Sequence, residues 1–205
     1  MRAPGAPWEA TVPGPSTVPP EPFRRAVAAL RGFRPRPEIT LCEVAPPRRL
    51  APFTYAMGGS VTLPLTGDDA ASGRLIMLYD PDGQPGWQGT TRMVCYVTAE
   101  LEPDLAADPL LAEVGWSWLT DALASHAPEH TALAGTVTQT SSTRFGTLAG
   151  PPPSAEVEIR ASWTPTGDDL AAHLAAWCAL LASTAGLPPP GVRVLPDRSE
   201  RRWDG

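Results

Sequence analysis

Two acidic side chains two residues apart, Asp80 and Asp82 in "DPDGQPGWQG", have the spacing with which a calcium loop begins. Such a loop also needs an acidic or amide ligand fifth, glycine sixth and a bidentate glutamate twelfth. Counting from Asp80, those places hold Gln84, Pro85 and Thr91, so the glycine and the glutamate are both missing. A phosphate loop fails as well, for want of a lysine and of a helix directly after it. What remains is turn chemistry: Pro81 presets φ, the aspartates bond nearby backbone, and Gly83 accepts a positive φ. The stretch is expected to join two strands as a hairpin. Trp87, a large ring in that loop, must fold back onto the sheet or meet another molecule.

The remaining reactive side chains fare no better. His126 and His130 lie near Asp121 and Glu129. Two histidines four apart share one ion well only on an unbroken helix, and Pro128 stands between them. His173 belongs to a different segment, so no metal is assigned. Ser125 precedes His126, but no GxSxG elbow surrounds it, and neighbours in sequence are not a triad. Cys42, Cys95 and Cys178 are odd in number, far apart and set in apolar runs, which reads as reduced, packed thiols of a cytosolic protein. In "TVTQTSSTRFG" a row of hydroxyls, Thr140 among them, runs up to Arg144, and a guanidinium beside such a row can hold an anion. Threonines on the wet side of a strand explain the same letters without a ligand, and that account is favoured. No catalytic residue and no cofactor is assigned.

The chain contains no lysine and no asparagine and only three isoleucines, the composition of a GC-rich bacterial genome. Without lysine there is no Schiff base for pyridoxal phosphate and no Walker-A cation for a nucleotide phosphate. Net charge is −6, which repels nucleic acid at long range. The charge is uneven: Arg24, Arg25, Arg31, Arg34, Arg36, Arg48 and Arg49 crowd the N-terminal quarter, and residues 93–143 hold no Arg or Lys but seven acids. Either the two patches face each other within the fold, or the acidic one is offered to a basic partner. No apolar signal segment or stretch long enough to cross a bilayer is visible, so a cytoplasmic protein without a membrane contact is expected.

These residues must be positioned by a short series of elements. Proline clusters mark 1–19 and 187–205 as poorly ordered tails around one domain at 20–186. A helix fits "EPFRRAVAALRGF", with Pro22 in its first turn and Gly32 at its exit. Strands fit 38–44, 50–57 (running on toward Leu65), 74–80 and 91–101. In the last, Met93, Cys95, Val97, Ala99 and Leu101 alternate with polar residues, one face for a core and one for water. A second helix fits "DPLLAEVGWSWLTDALASH", with Asp108 as N-cap and Pro109 as first helical residue. Strands at "ALAGTVTQT" and "AEVEIRASW" follow, then a last helix through "DDLAAHLAAWCALLASTAG" that Gly186 stops. The order α-β-β-β-β-α-β-β-α predicts an α+β, two-layer protein with a mostly antiparallel sheet and helices on one face. That order is similar to the type III secretion chaperone-like fold, whose members bind proteins.

The second helix is the least ordinary. Trp116 and Trp118 sit about 200° apart around its axis, so they face nearly opposite ways. Trp118 is grouped with Leu111, Val114 and Ala122, and Trp116 with Ala112, Leu119 and Leu123, with Glu113 on the narrow polar stripe between. Such a helix needs cover on two sides: the sheet on one, and another helix or a second molecule on the other. Trp87, Trp116, Leu119, Leu123 and Glu113 are therefore the candidate interaction residues, since tryptophan is a favoured interface anchor.

The segments "EPFRRAVAALRGFRPRPEITL", "RLAPFTYAM", "GWQGTTRMVCYVTAELEPDLAADPLLAEVGWSWLTDAL", "TALAGTVTQTSSTRFG" and "AEVEIRASWTP" resemble one uncharacterised actinobacterial family. It is the domain-of-unknown-function family numbered three thousand, and the likeness spans roughly 20–185. The resemblance implies no activity, cofactor or catalytic residue.

The leading expectation is a non-catalytic protein-interaction domain, a homodimer or a partner-binder, working through the Trp116 face or the acidic region. The alternative is a small-molecule-binding domain or enzyme with a pocket between sheet and helix, drawing on Asp80, Asp82, His126, Arg144 or Arg160. Nucleic-acid association through Arg24, Arg25 and Arg31 is a third, disfavoured by the net charge. Convergence of titratable groups in a deep pocket would favour chemistry; a shallow apolar patch rimmed by acids would favour binding.

Overall fold

The structure, a computed structural model, describes residues 18–47, 49–63, 67–101, 108–150 and 154–192. Most of the two expected tails, and the acidic Glu102 and Asp104, lie outside the described residues. The expected element order holds: α1 (Glu21–Gly32), β1 (Ile39–Glu43), β2 (Phe53–Thr62), β3 (Asp69–Tyr79), β4 (Thr91–Leu101), α2 (Leu111–His126), β5 (His130–Ser142), β6 (Ser154–Pro165) and α3 (Leu170–Thr184). Asp108 does not cap α2 as expected. Its Oδ1 accepts from the Leu110 N–H at 2.8 Å, fixing the turn before the helix, which starts at Leu111. For α3, Asp169 accepts from the Ala172 N–H at 3.1 Å, and Gly186 follows the helix with φ 70°.

The six strands form one antiparallel sheet in the order β1-β2-β3-β4-β6-β5. β6 slots between β4 and β5, which leaves β5 as an outer edge and β1 as the other. The 80–90 stretch is the β3–β4 hairpin. Asp80 N–H donates to the Thr90 carbonyl at 2.9 Å, Gly83 N–H to the Asp80 carbonyl at 3.0 Å, and Gly83 has φ 71°. Alternation decides which face is covered. Met93, Cys95, Val97 and Ala99 on β4, and Val157, Ile159, Ala161 and Trp163 on β6, are buried in the core. Glu156 and Arg160 point out the other way, exposed. Cys42 departs from its expected core place. β1 alternates too, so burying Ile39 turns Cys42 to the open side, where it is exposed.

α3 lies across β2, β3 and β4, α2 lies on β5 and against α3, and α1 packs on α3. The closest fit is at Trp177 of α3, whose indole is fully buried over the cross-strand pair Gly59 and Gly73. A Cβ on Gly59 would come within 2.8 Å of the ring, and one on Gly73 within 2.4 Å of the Tyr96 carbonyl oxygen and 3.2 Å of the ring. Two missing side chains make the trough that the ring fills. The Trp177 Nε1–H has no hydrogen-bond partner among the described residues. An orphaned donor costs about 1–3 kcal/mol, less than the ~3–5 kcal/mol lost when a core tryptophan is truncated.

A second buried tryptophan does find a partner. Trp163 Nε1–H donates to His173 Nδ1 at 3.0 Å, so that nitrogen carries no proton and the ring is neutral. Burial, with His130 nearby as a smaller cause, lowers the His173 pKa from its ordinary 6.5 to about 4.

Two outcomes follow from this packing. Gly59→Ala should lower unfolding free energy by about 1–3 kcal/mol in urea titration, and Trp177→Phe in the same chain should recover part of it; strict additivity of the two would contradict the trough. Between about pH 6.5 and pH 4 the unfolded chain binds a proton at residue 173 that the folded chain refuses. Stability should therefore fall on acidification through that window, by up to about 3 kcal/mol. His173→Asn, which keeps an acceptor near the Nδ1 position, should remove that part of the pH dependence.

Candidate protein-interaction surface

The α2 helix sets the site. Gly115 rests on the sheet, where a Cβ would come 3.2 Å from Val137 and 3.7 Å from Ile159. With the contact stripe fixed there, Leu111, Leu119, Ala122 and Leu123 fall inward and are buried, Leu119 and Leu123 with no exposure at all. Both leucines, expected with Trp116 as interaction residues, lie in the core against which Trp116 packs. They belong to the core and are closed to a partner. Val114, grouped by spacing with Trp118, Leu111 and Ala122, is 40% exposed. The reason is that glycine rather than tryptophan is the point of closest approach, which rotates the helix.

The tryptophans flank that stripe on opposite sides and are both half-buried. Trp118, with Asp121, Ser125 and His126, borders a hollow of about 410 Å³ shared with α3 residues such as Cys178 and Ala182. Trp116 turns the other way, over the outer strand: a Cβ on Gly135 of β5 would come within 2.8 Å of its ring. Glu113 is exposed on the outward side of α2. Trp87 is half-buried in the hairpin loop, whose backbone is tied to β6 because Thr164 Oγ1–H donates to the Trp87 carbonyl.

The edge beneath Trp116 is unusual. β5 runs for thirteen residues, and from Ala134 to Ser142 all but Val137 are exposed. Between Thr131 and Thr143 there is no charge and no proline. Natural sheets blunt their edges with charges, prolines or short strands. β1 is blunted in this way: it has five residues, and its Glu43 is gripped by Arg31 through Nε at 2.7 Å and Nη2 at 2.9 Å.

That grip, with Arg25–Glu21 and Arg36–Glu38, also corrects the expected pairing of the arginine patch with the acidic one. Among the described residues, these N-terminal arginines are matched by local acids. β1 and β5 are the opposite edges of the sheet, and Arg36 and Asp121 border the same hollow with Arg36 already paired to Glu38. The exposed acids Glu100, Asp108, Glu113, Asp121 and Glu129 are left to solvent. Arg31 also lies 5.6 Å from the Tyr55 ring, and it holds Glu43 below the usual carboxylate range.

The candidate chemical groups do not converge. Asp80 and Asp82 stay in the hairpin, where Asp80 Oδ1 accepts from the Asp82 N–H and Oδ2 from Gln84. His126 ends α2. His130 Nδ1–H donates to the Ala127 carbonyl at 2.9 Å. Arg160 pairs with Glu158 on the open face, 5.6 Å from the Tyr96 ring. Thr140 and Arg144 are exposed on and just beyond β5, and no described contact joins them. The guanidinium that does sit among hydroxyls is Arg92, half-buried on the open face. It donates to Ser162 Oγ at 2.7 Å, the Ala132 carbonyl at 2.9 Å and Thr164 Oγ1 at 3.1 Å. Those bonds fasten the irregular start of β5, where Ala132 has φ 51° and the register with β6 shifts. No sequence signal marked that role, because Arg92 reads as one more outward strand residue. Burial pushes the Cys95 and Cys178 thiols up to about 12, which leaves them protonated and inert. Among the described residues, no three His, Cys, Asp or Glu side chains gather as a metal site, and no helix is long and apolar enough to cross a membrane.

No curated protein and no solved structure matches the chain. Residues 19–193 match the family model described as a protein of unknown function, DUF3000, and the chain belongs to that family.

Proposed function

We propose that this chain is a non-catalytic protein-interaction domain of the bacterial cytosol, one domain over residues 20–186 with tails on either side. The observation that carries the reading is Trp116, half-exposed on Gly135 above a long, uncharged sheet edge. Tryptophan at a partly covered site supplies a large anchoring area at small entropic cost, and binding energy concentrates on such anchors. The unpaired N–H and C=O groups of β5 add directional bonding for an extended partner segment. Three free cysteines, two of them inert, suit a reducing compartment, and the lysine-free composition suits an actinobacterial source. The scatter of Asp80, Asp82, His126, Arg144 and Arg160 over separate parts of the fold speaks against catalysis.

The test uses the full chain as bait in host lysate, followed by purification of any captured protein and direct titration. Trp116→Ala, checked for folding by circular dichroism, should weaken the purified complex at least about tenfold. Equal affinity of the Trp116→Ala chain would contradict the proposal.

A further inference from the structure

We propose that the occupant of the β5 edge is a second copy of this chain, the two β5 strands pairing antiparallel about a two-fold axis that joins both sheets into one. The inference rests on the interaction reading above and names its partner.

Four observations support it. First, an exposed, uncharged edge of this length is a predicted aggregation site unless something pairs with it, and β5 lacks every guard that β1 carries. From Ala134 to Ser142 its register with β6 is regular. Every second residue there turns its N–H and C=O away from β6, along an edge of about 30 Å at ~3.4 Å per residue. Second, a two-fold axis brings each residue near its own counterpart, so a charge close to the axis would meet itself. The neutral run Thr131–Thr143 removes that penalty, and the acids of α2 lie on its outward and α3-facing sides. Third, the residues suit self-pairing. An axis through Val137 sets Thr136 of one copy against Thr138 of the other, and cross-strand threonine pairs are favourable. A two-fold normal to the sheet keeps both helix layers on the same side, so the Trp116 flank of each α2 extends the contact beyond one ribbon of backbone. Fourth, the described chain beyond α3 leaves elsewhere. Arg36 Nη1–H donates to the Pro188 carbonyl at 2.9 Å, so the C-terminal described end lies by the approach to β1, at the opposite edge of the sheet from β5.

The test is sedimentation velocity on the full chain over a range of concentrations, with two charged variants of the exposed Thr138. The unaltered chain should sediment as a dimer. Thr138→Lys and Thr138→Glu should each weaken the dimer at least about tenfold, because like charges then oppose each other near the axis. Mixing the two variants should restore a dimer, which an unfolded or merely damaged strand could not do. A chain that stays monomeric at every concentration would overturn the proposal. So would a dimer that ignores both charges, or variants that dissociate and are not restored by mixing. If the chain is monomeric yet captures a host protein through Trp116, the self-pairing falls while the broader interaction reading stands.

Discussion

The fit of Trp177 into the Gly59–Gly73 trough is the constraint on which the rest of the architecture depends. The Trp177 ring comes so near the strands that only a pair of residues without side chains admits it. With that ring seated, α3 is fixed across β2, β3 and β4. α2 has the far side of the sheet left to cover, and it does so with a second glycine contact, Gly115 against Val137. Both approaches follow one rule: a large side chain or a whole helix backbone is brought near by deleting a Cβ on the facing surface. Trp116 on Gly135 is the third instance, and the only one of the three that opens to solvent.

The consequence is a molecule with two unlike edges. β1 is short, flanked by prolines and gripped by ion pairs to α1 and along its own approach. β5 is long, neutral and bare, with an aromatic ring above it. A protein that guards one edge with several devices and leaves Ala134–Ser142 of the other with none has an asymmetry that its own stability does not require. Arg92 strengthens the point, since its three hydrogen bonds stiffen the irregular start of β5 from the open face. The edge is bare without being loose.

Much of this was legible in the residues, for reasons that can be named. Period-two alternation gave the inner faces of β4 and β6, down to Trp163, and "DPDG" gave the hairpin because its turn chemistry admits few alternatives. Helix rotation was not legible. The spacing of Trp116, Leu119 and Leu123 suggests one apolar flank, but the position of closest approach is Gly115, and an absent side chain leaves no mark in a hydrophobic pattern. Gly59 and Gly73 were equally silent, although glycine inside a strand is itself a sign of close approach. Pairing across the chain was invisible too. That β6 lies between β4 and β5, and so leaves β5 as an open edge opposite β1, depends on strand order, which no local window contains. The lone outward Cys42 shows the same limit at the scale of one strand.

The central claim is that the β5 edge is covered in the working protein, and amide hydrogen exchange reads it directly. In concentrated solution, alternate amides between Ala134 and Ser142 should be protected and should become labile on dilution, while β4 and β6 stay protected throughout. Rapid exchange of those outward amides at every concentration, with or without a captured partner present, would contradict the account.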